Sequence, residues 1–167
     1  FPTRRSSDLN VHTGAKRLIG RSYRTAPKWS VNGKWAVMYD PIAQVWNKFD
    51  GATGKVVNIS DAIGYPMFME SYDKPAPAPA YGIAGWTADG NNVFLYDAYD
   101  WWKIDLTGER QPECLTKGYG RKHGKSIRKM TSNIDKDVFQ KDETVIVSLW
   151  DKDTMDEGVY QLDMKGL

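Results

Sequence analysis

Two histidines, one cysteine and a scatter of serines are what this chain can offer to a Cys/His or Ser/His dyad. It is 167 residues long. Acyl-transfer chemistry through serine needs Gly-x-Ser-x-Gly, where both glycines let a strand-to-helix turn close around the nucleophile. Gly20-Arg-Ser22-Tyr-Arg24 and Gly124-Lys-Ser126-Ile-Arg128 each lack the second glycine. Cys114 stands between Glu113 and Leu115 in a strand-like run and reads as a buried, inert thiol. His12 and His123 are far apart and each sits in a predicted loop. A Cys/His or Ser/His dyad therefore has few ways to form, and the sequence contains no catalytic centre.

Phosphate and metal chemistry fare no better. Gly124-Lys125-Ser126 looks like the end of a phosphate-binding loop, but the first glycine of that loop would fall on Tyr119. Gly118-x-Gly120 lacks the third glycine of a dinucleotide fingerprint, since His123 takes its place. In Asp151-Lys-Asp153-Thr-Met155-Asp156-Glu157-Gly158 the alternation of oxygen ligands fails at Met155, and the sixth position is Asp156, not glycine. That loop reads as a solvated hairpin turn. No zinc spacing occurs. No cofactor and no metal site is expected.

The densest chemistry is the cluster Tyr96-Asp97-Ala98-Tyr99-Asp100-Trp101-Trp102. It reads either as core packing around a tight turn between two strands, or as a surface recognising an amine or peptide. In the second reading Tyr96, Asp97, Tyr99, Asp100 and Trp101 are the candidate peptide-facing residues, because carboxylates pair with ammonium groups and aromatic faces hold cations.

Composition narrows the classes. With 23 basic and 21 acidic residues the chain is nearly neutral, which argues against a nucleic-acid partner. The one basic run, Lys117 to Lys129, is expected to be a solvated inter-strand loop. No stretch approaches the roughly 20 apolar residues of a membrane span, so no membrane is expected as a partner.

The elements that position these residues repeat. Trp29-Ser30, Gly33 and Tyr39-Asp40 recur 57 residues later (86 − 29) as Trp86-Thr87, Gly90 and Tyr96-Asp97. Trp102-Lys-Ile-Asp105-Leu-Thr-Gly108 recurs 58 residues later (160 − 102) as Tyr160-Gln-Leu-Asp163-Met-Lys-Gly166. A fixed period of this size marks a repeat architecture. Strands are expected at 34–39, 45–49, 55–59, 92–96, 101–105, 113–116, 144–149 and 159–163, joined by Gly/Asp/Asn turns. The fold class is all-β: a partial β-propeller of about three blades of four-stranded antiparallel sheet, with units near 28–60, 85–120 and 142–167. Pro75, Pro77 and Pro79 make Tyr65 to Ala80 an extended excursion loop that cannot join a sheet interior. Residues 1–9 (FPTRRSSDL) read as the translation of a common sequencing-adapter oligonucleotide. The domain is accordingly taken as 10–167.

At Pro27-Lys-Trp29-Ser30-Val-Asn-Gly33-Lys34-Trp35, Tyr81-Gly-Ile-Ala-Gly85-Trp86-Thr87, Val93-Phe-Leu-Tyr96-Asp97-Ala-Tyr99-Asp100-Trp-Trp102-Lys-Ile-Asp105 and Leu115-Thr116-Lys-Gly118-Tyr-Gly120-Arg121-Lys122, the chain resembles the N-terminal propeller of bacterial prolyl oligopeptidase family serine peptidases. The resemblance covers Lys16 to Leu167. It implies a propeller capping an α/β-hydrolase domain and restricting access to short peptides. The expected partners are then that missing hydrolase domain, the remaining blades and a short peptide substrate, in a periplasmic or secreted protein. No elbow serine is present, so none of the family's catalytic residues carries over. The chain alone is expected to be inactive, and poorly soluble or unstable, because about three blades cannot close a ring of four to eight. The other reading is a stand-alone periplasmic propeller that scaffolds other proteins. Residues downstream of Leu167 would distinguish the two: a hydrolase domain with an elbow motif and a late histidine, or only more blades.

Overall fold

The computed structural model describes residues 5–21, 26–130 and 137–165. Residues 1–4, Ser22, Arg24 and Gly166, named above, lie outside them. The protein is all-β, in four sheets. Among the described residues, no helix is long and apolar enough to cross a membrane.

Two strands, β1 (Arg5–Leu9) and β2 (Lys16–Arg21), form an antiparallel hairpin. β1 therefore falls in the stretch read as adapter-encoded. Its ladder is main-chain bonding that almost any sequence supplies, so the pairing is silent on where those residues come from.

Unit one is the antiparallel meander β3 (Lys28–Trp29), β4 (Trp35–Asp40), β5 (Val45–Asp50) and β6 (Val56–Asn58). Unit two repeats it as β7 (Ile83–Thr87), β8 (Asn92–Tyr96), β9 (Trp101–Asp105) and β10 (Glu113–Cys114). A short helix, α1 (Tyr119–Lys122), leads into β11 (Lys125–Lys129), followed by β12 (Val138–Phe139), β13 (Thr144–Asp151) and β14 (Glu157–Asp163).

The third unit departs from the expected four strands. Its sheet is β11-β13-β14, while β12 pairs in parallel with β7 and makes the second sheet five-stranded. The sheets do not close on themselves. The basic run is corrected in the same place. Lys117 to Lys129 is a turn of helix and a paired strand, with Ser126 and Ile127 buried, not a solvated loop. Charge suggested solvent here, but Arg128 donates to the Asp97 and Ala98 carbonyls and Lys129 to the Ala84 carbonyl, so these cations are taken up by the protein's own acceptors. β7 escaped the strand pattern because Gly82 and Gly85 interrupt it, and Gly85 marks a bulge in the ladder.

The sequence repeat is a hydrogen-bond repeat. In unit one the Ser30 hydroxyl donates to Asn32 Oδ1 (2.7 Å), which also accepts the Lys34 N–H (3.0 Å), and the Trp35 N–H donates to Ser30 Oγ (3.2 Å). In unit two Thr87 Oγ1 donates to Asp89 Oδ1 (2.6 Å), which accepts the Asn91 N–H (2.9 Å), and the Asn92 N–H donates to Thr87 Oγ1 (3.0 Å). The two turns also touch: Asn32 Nδ2 donates 2.8 Å to the carbonyl of Asp89, its own counterpart 57 residues on.

Side chains alternate between the sheet's two faces, and in units one and two both faces are covered. Ala36, Met38 and Phe49 of unit one pack with Ile19 of β2. Val37, Tyr39 and Trp46 on the opposite face meet Trp86, Val93, Leu95, Trp102 and Ile104 of unit two. Phe94, Tyr96 and Trp101 then turn to Ile127, Phe139, Val145, Val147 and Leu149. The loop 65–80 lies against this stack, with Met67 buried and a single bridge, Phe68 to Ala80.

Gly33 and Gly90 hold the same turn position, each at φ +69°. A Cβ at Gly33 would meet nothing within 4 Å, whereas at Gly90 it would lie 2.7 Å from Asn32 Cγ and 2.9 Å from Asn32 N. Gly33→Ala should therefore cost only the left-handed penalty of about 1–2 kcal/mol, and Gly90→Ala measurably more, because it also parts the two units. Urea unfolding of both variants compares them.

Strand-end carboxylates set the acid limit. Burial alone would raise Asp89, but hydrogen bonds from the Thr87 hydroxyl and from Asn91 outweigh it and hold it below its ordinary value. Burial would likewise raise Asp105, and the Thr107, Arg110 and Glu109 hydrogen bonds overcome that rise. A depressed folded pKa contributes stability above the unfolded value, lost as pH falls through the folded one. Thermal midpoints should thus fall below about pH 4, and Asp89→Asn with Asp105→Asn should flatten that decline.

Candidate functional site

The tip between β8 and β9 carries the aromatic–acidic cluster, and it is built around Asp97. Asp97 Oδ1 accepts the N–H groups of Tyr99 (2.7 Å) and Asp100 (2.6 Å), closing the turn. Oδ2 accepts the Trp102 indole N–H (3.1 Å) and Arg121 Nη2 (3.3 Å). Asp100 is equally committed. Its Oδ1 takes the Thr116 hydroxyl (2.6 Å) and the Gly120 N–H (2.9 Å), and its Oδ2 takes the Arg121 N–H (2.9 Å). Asp97 is 0% and Asp100 1% exposed.

Segment 116–129 is bound to this tip along its length. Trp101 Nε1 donates to the Ile127 carbonyl (3.1 Å) and Tyr96 Oη accepts the Lys129 N–H (3.2 Å). The Ser126 hydroxyl donates to the Ala98 carbonyl (3.1 Å). Arg128 Nη2 donates to the carbonyls of Asp97 (2.7 Å) and Ala98 (3.2 Å). Its guanidinium lies over Tyr96 at 4.7 Å and Tyr81 at 5.4 Å. Burial lowers the Arg128 pKa from its ordinary value, and burial raises that of Tyr96. Arg121 stacks over Tyr65 at 4.3 Å and Tyr99 at 5.0 Å, and its other carboxylate partner is Glu70 at 3.4 Å. Burial pulls the Arg121 pKa down, but Asp97 and Glu70 outweigh it and hold the group above its ordinary value.

Of the five candidate peptide-facing residues, Tyr96, Asp97, Asp100 and Trp101 are buried, and Tyr99 is half-buried with Lys152 4.4 Å from its ring centre. Sequence reasoning did not select Arg121 and Arg128. The signal was there, since each lies in the Gly-Tyr-Gly-Arg-Lys neighbourhood, but only the fold carries them 24 and 31 residues back to Asp97.

A cavity of about 440 Å³ opens beside the cluster, between Tyr65, Trp102, Cys114, Lys117, Arg121 and Lys122. Burial pushes the Cys114 thiol up, and the fields of Asp100 and Asp97 add to that; hydrogen bonding from Gly118 and Thr116 does not reverse it. A protonated thiol is a poor nucleophile at neutral pH. His12 and His123 are exposed, and among the described residues neither imidazole is hydrogen-bonded to Cys114 or to a serine hydroxyl. The site can hold and orient groups, and it has no nucleophile–base pair.

Compared with known proteins, the chain matches no family model and no curated protein.

Asp40 makes the same turn as Asp97, accepting the N–H groups of Ile42 (2.9 Å) and Ala43 (3.1 Å) at a half-exposed position. Asp97→Ala should cost about 3 kcal/mol, since it opens the turn, leaves the buried Trp102 indole N–H without its acceptor and removes one of the two carboxylate partners of Arg121. Asp40→Ala should cost about 1 kcal/mol. Equilibrium denaturation of the pair measures the difference.

Proposed function

We propose that this chain is part of a β-propeller that gates short peptides on their way to the catalytic domain of a prolyl oligopeptidase family serine peptidase, in a periplasmic or secreted protein. The observation that carries the reading is the way repeat units stack. The face of unit one bearing Tyr39 and Trp46 is covered by unit two, and that bearing Tyr96 and Trp101 by unit three. In unit three the corresponding register position is Ser148 opposite Val159. There Ile146, Trp150 and Val159 are exposed, the last at 63%. An apolar sheet face of this kind suits a further blade. The Tyr81-Gly-Ile-Ala-Gly85-Trp86 and Gly118-Tyr-Gly120-Arg121-Lys122 strings support the family within that architecture.

In this reading Tyr99 presents its ring to the peptide, and Tyr96, Asp97, Asp100 and Trp101 fix its position from behind. Chemistry belongs to the hydrolase domain, since the cluster here lacks a nucleophile.

Reading the source DNA past both ends of this frame tests the proposal. Further blades leading into a Gly-x-Ser-x-Gly domain with a later histidine are expected. Blades ending at a stop codon would replace the peptidase with the scaffold. The purified 167-residue chain should leave proline- and alanine-containing peptide substrates intact, and measurable hydrolysis would refute its inertness.

A further inference from the structure

Units one and two carry the same cross-strand ring pair in different states of satisfaction. Tyr39 lies opposite Trp46 and Tyr96 opposite Trp101, with ring centres 5.5 and 5.2 Å apart. In unit two a single extended strand serves both rings: the Ile127 carbonyl accepts from Trp101 Nε1, and the Lys129 N–H donates to Tyr96 Oη. Those two main-chain groups are two residues apart and point to one side of β11, as strand geometry requires.

Among the described residues, no strand serves the pair in unit one. Tyr39 donates its proton to the Ala78 carbonyl (3.1 Å), which leaves the hydroxyl oxygen able to accept. Trp46 is 5% exposed, and its Nε1–H is buried with no acceptor. An unpaired buried donor is costly enough to need an explanation. Both rings line a cavity of about 340 Å³ whose other walls include Val37, Ile83 and Trp86, with Lys28 and Asp137 also at its lining.

We infer that this cavity is a binding slot for a short extended peptide segment. One main-chain carbonyl of the segment accepts the Trp46 Nε1–H, and the N–H two residues on donates to Tyr39 Oη, as Ile127 and Lys129 do in the next unit. The mostly apolar walls, with Asp137 already paired to Lys129 at 2.8 Å, suit neutral main chain with small apolar side chains over a charged ligand. Occupation requires the indole to turn its Nε1 edge into the cavity its ring already lines. The slot lies between units one and two and does not depend on the parent being a peptidase.

The test is titration of the full 167-residue chain with N-acetyl-trialanine amide, monitored in the indole region of the ¹⁵N–¹H correlation spectrum. One indole resonance should shift downfield and saturate at millimolar peptide. Trp46→Phe should remove that resonance and weaken binding, read on the Gly82 and Ile83 amides, about tenfold. A depsipeptide with an ester in place of the donating amide should bind the unaltered protein about tenfold more weakly, which decides the matter should the Trp46 variant fail to fold. The inference falls if no indole shift saturates, if cyclohexane produces the same shift, or if binding is indifferent to both the phenylalanine and the ester.

Discussion

The central strand β8 is apolar on both sides, so its sheet depends on having a neighbour on each face. In β8 the side chains alternate between two different cores: Val93 and Leu95 turn to unit one, Phe94 and Tyr96 to unit three. A sheet that exposed either set to water would lose most of the burial that stabilises it. Unit two satisfies the condition fully. Unit one satisfies it through Ile19 of the N-terminal hairpin on one side and unit two on the other. The architecture is therefore a stack, and the position of every loop and cluster depends on it.

Aspartate turns are the device that lets such strands reverse within a few residues. Asp40, Asp50, Asp97 and Asp151 each accept two N–H groups from residues two and three positions on. Their local geometry is shared; their surroundings are not. Asp40, Asp50 and Asp151 remain half-exposed, while Asp97 is enclosed by Trp102 and Arg121 at its carboxylate and by Arg128 of β11 at its carbonyl. One turn has become a joint between units two and three because the downstream chain returns to bind it.

The polar groups of that joint are committed to one another. Both carboxylates of the cluster are consumed by internal donors, and both arginines are held against tyrosine faces. Groups so committed hold this surface in one shape.

Local information was enough for much of the fold. Alternating β-branched and aromatic residues placed β4, β5, β8, β9, β13 and β14 within a residue or two, and the 57-residue recurrence located turns whose hydrogen bonds do repeat, because Ser30/Thr87 and Asn32/Asp89 act on their own neighbours. What the tertiary structure alone decided is everything that depends on distant partners. The basic run became strand β11 because Asp97, Asp100 and the Tyr96–Trp101 pair offered it bonds. β12 joined β7 in parallel, away from its own unit. Trp46 and Trp101, alike in sequence context, ended with and without an empty flank, since the second was met by a strand and the first was not. Sequence patterns encode which face a residue occupies; which neighbour arrives at that face depends on contacts tens of residues away, and no local period records them.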